Sequence, residues 1–88
     1  METEAVVTQI LEEVIGVKDV SREARFLDIG GNSLNLVQVL KHIQDRTGIS
    51  VQPRMFFEKT NSTIAAISAA IDSQRRYQSA NEYSLTNK

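Results

Sequence analysis

Apolar residues recur at helical spacing in three stretches of this chain. In residues 3–15, Val7, Ile10, Leu11 and Val14 follow an i, i+3, i+4, i+7 pattern and share one face. Glu12 and Glu13 point away from it, and Gly16 is a stop just past the last periodic residue. A second helix is predicted over residues 33–46, with Gly48 beyond its end as a C-terminal signal. The last is predicted over residues 61–75, capped by Thr60. Ile64, Ile67 and Ile71 line its inner face, with Ser68 on the same stripe. Between the second and last helices, residues 49–51 read as a short extended piece. Pro53 then suits the first turn of a one-to-two-turn helix over 53–58, with Phe56 or Phe57 facing in.

Residues 17–32 are too long and too apolar for a free linker. Val17, Val20, Phe26, Leu27 and Ile29 are expected to pin this segment to the core, since a long loop inside a compact domain is usually functional or packed down. Residues 77–88 are polar and are expected to form a mobile tail behind a domain of residues 1–76. The predicted fold is all-α: a small bundle of three main helices plus one short helix, with a long packed loop between the first two helices.

A helical wheel of the second helix isolates one misplaced side chain. With Leu36 at 0°, Val39 falls near about −60°, Leu40 near 40° and Ile43 near −20°, which makes a buried stripe. Leu34 falls on the opposite side with Gln38, Lys41 and Asp45, and Val37 stands at the border. One exposed leucine needs no special explanation. It also fits a small docking surface in which Leu34 and Val37 are ringed by Asn32, Asn35, Gln38 and Lys41, as in brief recognition.

Composition narrows the function classes. A chain of 88 residues is one domain, and it buries only about 60% of the surface its unfolded form exposes, leaving little for a large enclosed cleft. The absence of cysteine excludes a disulfide framework and a thiolate metal site. No apolar run approaches the roughly 20 residues of a membrane span, and the acidic start lacks the pattern of a signal peptide, so a cytoplasmic protein is expected. Ten basic residues against eleven acidic ones leave no general basic surface for nucleic acid.

Candidate chemistry centres on Ser33. As a nucleophile it would need a base. The single histidine, His42, lies roughly 13 Å further along the same helix and on its outer side, against the ~3 Å that proton transfer requires. It reads as a solvated surface residue. Gly30-Gly31-Asn32-Ser33 lacks the Gly-Lys-Ser/Thr ending of a phosphate-binding loop, and no metal cluster is visible. The chain is therefore expected to be no enzyme. Two readings of Ser33 remain open on the residues alone. It is the N-cap of the second helix, contributing about 1 kcal/mol. Alternatively another enzyme modifies it: two glycines keep its approach clear, and a helix start favours a phosphoryl group.

Phe26-Leu27-Asp28-Ile29-Gly30-Gly31-Asn32-Ser33-Leu34 resembles the thiolation motif of peptidyl carrier proteins, within the wider group of acyl carrier proteins. Gly48-Ile49-Ser50-Val51 and Met55-Phe56-Phe57-Glu58-Lys59-Thr60 are similar to two further family stretches at matching distances, so the resemblance covers about residues 3–75. It implies that a phosphopantetheinyl transferase attaches 4′-phosphopantetheine from coenzyme A to Ser33. It implies an arm that carries an aminoacyl, peptidyl or acyl group as a thioester. The implied partners are that transferase, an adenylation or acyl-loading enzyme, and condensation or tailoring enzymes of nonribosomal peptide or related biosynthesis. The Met1 start and the polar tail lead to the expectation of a free-standing protein, and a monomer is expected. Asn32 stands where the family usually has Asp or His, Ile29 where Leu is usual, and Lys59 where Pro is frequent. The second helix lacks the acidic face of fatty-acid carriers, which tilts the expectation toward peptide or specialised pathways. An acyl carrier of a polyketide or fatty-acid-type pathway is the alternative within the class. An unmodified interaction module with Ser33 as a mere cap is the alternative outside it.

Overall fold

The computed structural model describes the backbone of residues 2–86 and the side chains of residues 2–77. Three helices are present: α1 (Glu2–Ile15), α2 (Ser33–Thr47) and α3 (Ile64–Thr86), with two short 3-10 helices at Leu27–Ile29 and Pro53–Phe57. Among the described residues the extended contact is a single isolated antiparallel bridge between Arg25 and Thr63. The all-α bundle expected from the periodicity is what forms.

α1 packs on both other helices, and the core follows the predicted stripes. Val7, Ile10 and Leu11 of α1 meet Leu36, Val39 and Ile43 of α2 and Ile64, Ile67 and Ile71 of α3, all buried. Phe26, Ile49, Val51 and Phe56 close the ends of this core. Leu40 is half-buried and lies at the edge of the α2 stripe. Ser68 is fully buried, and its hydroxyl finds no hydrogen-bond partner, a cost of about 1–3 kcal/mol. Two polar contacts reinforce the packing. The Thr3 hydroxyl donates to Asp72 at 2.5 Å, joining α1 to α3. Arg46 of α2 meets Glu13 of α1 at 2.8 Å.

The ends of the elements are set by local chemistry. Gly16 adopts φ 87° and returns its N–H to Glu12 at 2.9 Å, which stops α1 where the sequence indicated. Gly48, at φ 75°, does the same for α2 through Gln44. Ile49 and Val51 are buried and Ser50 is exposed, as extended chain alternates. Phe56 is the inward aromatic, and Phe57 is 41% exposed.

Three expectations are corrected. α3 begins at Ile64, capped by the Thr63 hydroxyl, which accepts the Ala66 N–H at 3.1 Å; Thr60 lies in an exposed turn before it. Both threonines can cap, but the long loop selects the later one. The Arg22 and Ala24 carbonyls accept the N–H groups of Ala65 and Ile64 at 2.9 and 3.2 Å, satisfying α3's first donors. α3 also runs to Thr86, past the expected end at residue 75. The apolar stripe stops at Ile71, but no Gly or Pro follows to end the helix. Residues 87 and 88, and the side chains from Gln78 onward, lie outside the described residues. Finally, Leu27 does not pin the loop: it is 52% exposed, while Phe26 is buried and Val17, Val20 and Ile29 are half-buried.

Phe26 is the anchor of the loop. Its N–H donates to the Ser62 carbonyl at 3.1 Å, and its ring meets Phe56 edge-on at 5.2 Å between centroids. Its carbonyl accepts the Gly31 N–H at 2.9 Å. A Cβ on Gly31 would fall inside contact distance of the same ring. Gly31→Ala is therefore expected to destabilise the fold by about 1–3 kcal/mol, as overpacking does, read from the denaturant midpoint.

Arg22 reaches from the loop to Glu4 in α1 with two hydrogen bonds, at 2.9 and 2.8 Å. The Arg22 hydrogen bond holds the Glu4 carboxyl below the usual carboxylate range, and the Arg25 hydrogen bond does so for Asp28. The folded-state values are depressed, so these groups stabilise the fold above their unfolded-state pKa. The contribution is lost as pH falls through the lowered folded-state values. Glu4→Gln is expected to be less acid-sensitive than the parent when melting temperature is followed from neutral pH to about pH 3.

Candidate functional site

The turn from Gly30 to α2 presents Ser33 and assigns the capping work to its neighbours. Asn32, at φ −150° and ψ 178°, is the N-cap. Its Oδ1 accepts the Leu34 and Asn35 N–H groups at 2.9 and 3.0 Å. Asn35 answers with a reciprocal bond, its Oδ1 accepting the Asn32 N–H at 2.8 Å, and its Nδ2 donates to the Gly30 carbonyl at 3.4 Å. This is a capping box built from two asparagines. The reading of Ser33 as the cap is thereby corrected: Ser33 is the first helical residue, and none of the capping bonds falls on it. The signal that could have shown this was Asn32 itself, as good a cap as serine, with a second carboxamide three residues on.

Gly30 makes the approach possible. It adopts φ 96°, a left-handed conformation that side chains rarely take, and returns its N–H to Leu27 at 3.3 Å. The chain reverses there, and Ser33 emerges exposed.

The other predicted site residues share the surface beyond this turn. Leu34 is 86% exposed and Val37 68%, and Gln38 and Lys41 are exposed beside them. Asn32 is exposed and Asn35 half-buried, both engaged in the box. His42 is half-buried rather than fully solvated. Val37 and Lys41 continue into a groove of about 360 Å³ that they line with Leu40, Gln44, Ser50 and Val51. A second cleft of about 150 Å³ lies between the loop and the Pro53–Phe57 helix, lined by Arg25, Leu27, Asp28 and Phe57 among others. Sequence reasoning did not find this one, because Leu27 read as a core residue and Phe57 shared its odds with Phe56.

The family model for the phosphopantetheine attachment site matches residues 5–71 of this sequence. The chain belongs to that family. Its members carry 4′-phosphopantetheine, and carriage rather than catalysis is their general role. Similar proteins include a linear gramicidin synthase of Brevibacillus parabrevis, one of whose large chains is 37% identical over 68 residues, covering 77% of this chain and 1% of that protein. Polyketide synthase PksL of Bacillus subtilis is 37% identical over 70 residues, covering 77% of this chain and 2% of that protein. The chain thus spans only a small fraction of these relatives. In fold it is similar to BlmI, a type-II acyl carrier protein from Streptomyces verticillus involved in bleomycin biosynthesis, with a TM-score of 0.73 and 19% identity. That match covers 83% of this chain and 86% of the other. Among the described residues no helix is long and apolar enough to cross a membrane.

The residues of the turn fit the family's prosthetic group. An exposed hydroxyl, relieved of capping and preceded by two glycines, can be esterified without breaking a bond the fold uses. Asn32→Ala is expected to lower stability by about 1 kcal/mol, and Ser33→Ala to leave it nearly unchanged, in equilibrium denaturation of both variants.

Proposed function

We propose that Ser33 is the attachment residue for 4′-phosphopantetheine and that this carrier presents the loaded arm to enzymes of nonribosomal peptide or related biosynthesis. The observation that carries the proposal is the division of labour in the turn: Asn32 caps α2 and Ser33 stands exposed beside it. The same observation weighs against an unmodified module in which Ser33 serves only as a cap. In the modification, the Ser33 oxygen bonds to the pantetheine-linked phosphorus of coenzyme A. The pyrophosphate bond breaks, adenosine 3′,5′-bisphosphate leaves, and the hydroxyl proton passes to a base of the transferase. When bound, the group supplies a terminal thiol on a long arm, able to hold an aminoacyl, peptidyl or acyl cargo as a thioester.

The chain's own part is to offer the hydroxyl and a docking face. Leu34 and Val37, with Gln38 and Lys41 around them and Asn32 and Asn35 bordering them, give partners a small apolar contact with a polar rim. Such a contact suits a carrier that visits a phosphopantetheinyl transferase, an adenylation or acyl-loading enzyme and a condensation or tailoring enzyme in turn. It needs no catalytic residue of its own. Polyketide cargo is a second reading, favoured by the similarity to PksL, and the loading partner decides between them. Incubation of the apo protein with coenzyme A and a broad-specificity transferase is expected to raise its intact mass by one phosphopantetheine group. Ser33→Ala should gain nothing. A parent protein that stays unmodified, or a variant that still gains the group, overturns the proposal.

A further inference from the structure

We propose that Asn35 is a positioning residue for the modification of Ser33, an inference that rests on the attachment reading above. The two residues that lead into the turn, Gly30 and Gly31, are the most permissive in the backbone alphabet. Left unbraced, they would let the Ser33 oxygen wander over many orientations. The structure braces them from both sides. On the inner side, the Phe26 carbonyl holds the Gly31 N–H, and the Phe26 ring lies against the Gly31 Cα. On the outer side, the side chain that braces them is the Asn35 carboxamide. Its Oδ1 accepts the Asn32 N–H at 2.8 Å and its Nδ2 donates to the Gly30 carbonyl at 3.4 Å. These two backbone groups flank Gly31, so one side chain clamps that glycine across both of its peptide units.

Asn35 can do this because it stands at the third position of α2, where its own backbone is fixed by the helix and its N–H is held by Asn32. Its side chain is half-buried against the turn, so its polar ends are directed to the chain that carries Ser33. It touches no reacting atom. Its effect runs through the backbone that aims the Ser33 oxygen at an incoming phosphorus, where an error of about 1 Å can cost on the order of a hundredfold in rate.

The test is the rate at which a broad-specificity transferase converts the apo protein, followed by intact mass, with kcat and KM resolved for the carrier. Asn35→Ala is expected to lower kcat about tenfold with KM within about twofold, and to speed amide hydrogen exchange at Asn32. Asn35→Asp keeps the acceptor for Asn32 and loses the donor to Gly30, so its kcat should fall between. Asn35→Gln can rebuild a capping box and should recover most of the rate. Ile67→Val trims a buried α3 side chain that takes no part in the hydrogen bonds of the turn and should modify at the parental rate. An unchanged kcat in Asn35→Ala, an effect confined to KM, or an equal loss in Ile67→Val overturns the inference. Should Asn35→Ala fail to fold, Asn35→Asp carries the test by the same criteria. If the parent is not modified at all, or Ser33→Ala is, the attachment reading fails instead.

Discussion

The contact between the Phe26 ring and Gly31 is the constraint on which the rest of the structure depends. Phe26 is fully buried against Phe56 and meets Phe57 at 6.1 Å between ring centroids, so the ring stands between the 3-10 helix and the functional turn. Its two backbone groups point opposite ways in function. The N–H ties the loop to Ser62, just before α3, and the C=O ties it to Gly31, just before α2. One residue thus brings together the starts of two helices that lie far apart in sequence. Only glycine allows the chain to pass this close to an aromatic face.

From that fixed point the turn solves a conflict between stability and availability. A helix start has N–H groups that need partners, and a serine placed there is readily recruited to supply one. Here two carboxamides do that work. The hydroxyl owes nothing to the fold, which is what a handle for covalent attachment requires. A neutral cap forgoes the favourable interaction that an acidic one would make with the helix dipole.

Periodicity made the helical elements legible. Val7, Ile10 and Leu11, then Leu36, Val39 and Ile43, then Ile64, Ile67 and Ile71 are buried as their spacing indicated, and Leu34 stands out as the wheel placed it. Where local signals were degenerate, the sequence could not choose. Thr60 and Thr63 are equally good caps, and loop carbonyls from residues 22 and 24 decide for the second. Phe56 and Phe57 are equal in hydrophobicity, and only their register on the 3-10 helix separates them. Leu27 is apolar and yet exposed, because the loop turns there into the short helix that leads to Gly30.

The sequence by itself determined the helical class, the core stripes, the glycine stops and the motif around Ser33, because these depend on short-range spacing and residue chemistry. The tertiary structure decided which threonine caps α3, which aromatic turns inward and how Phe26 ties the loop to the start of α3. Those choices are settled by hydrogen bonds and packing between residues far apart in sequence, such as Phe26 with Ser62 and Arg22 with Ala65, and such ties are broken only when the chain brings distant groups together.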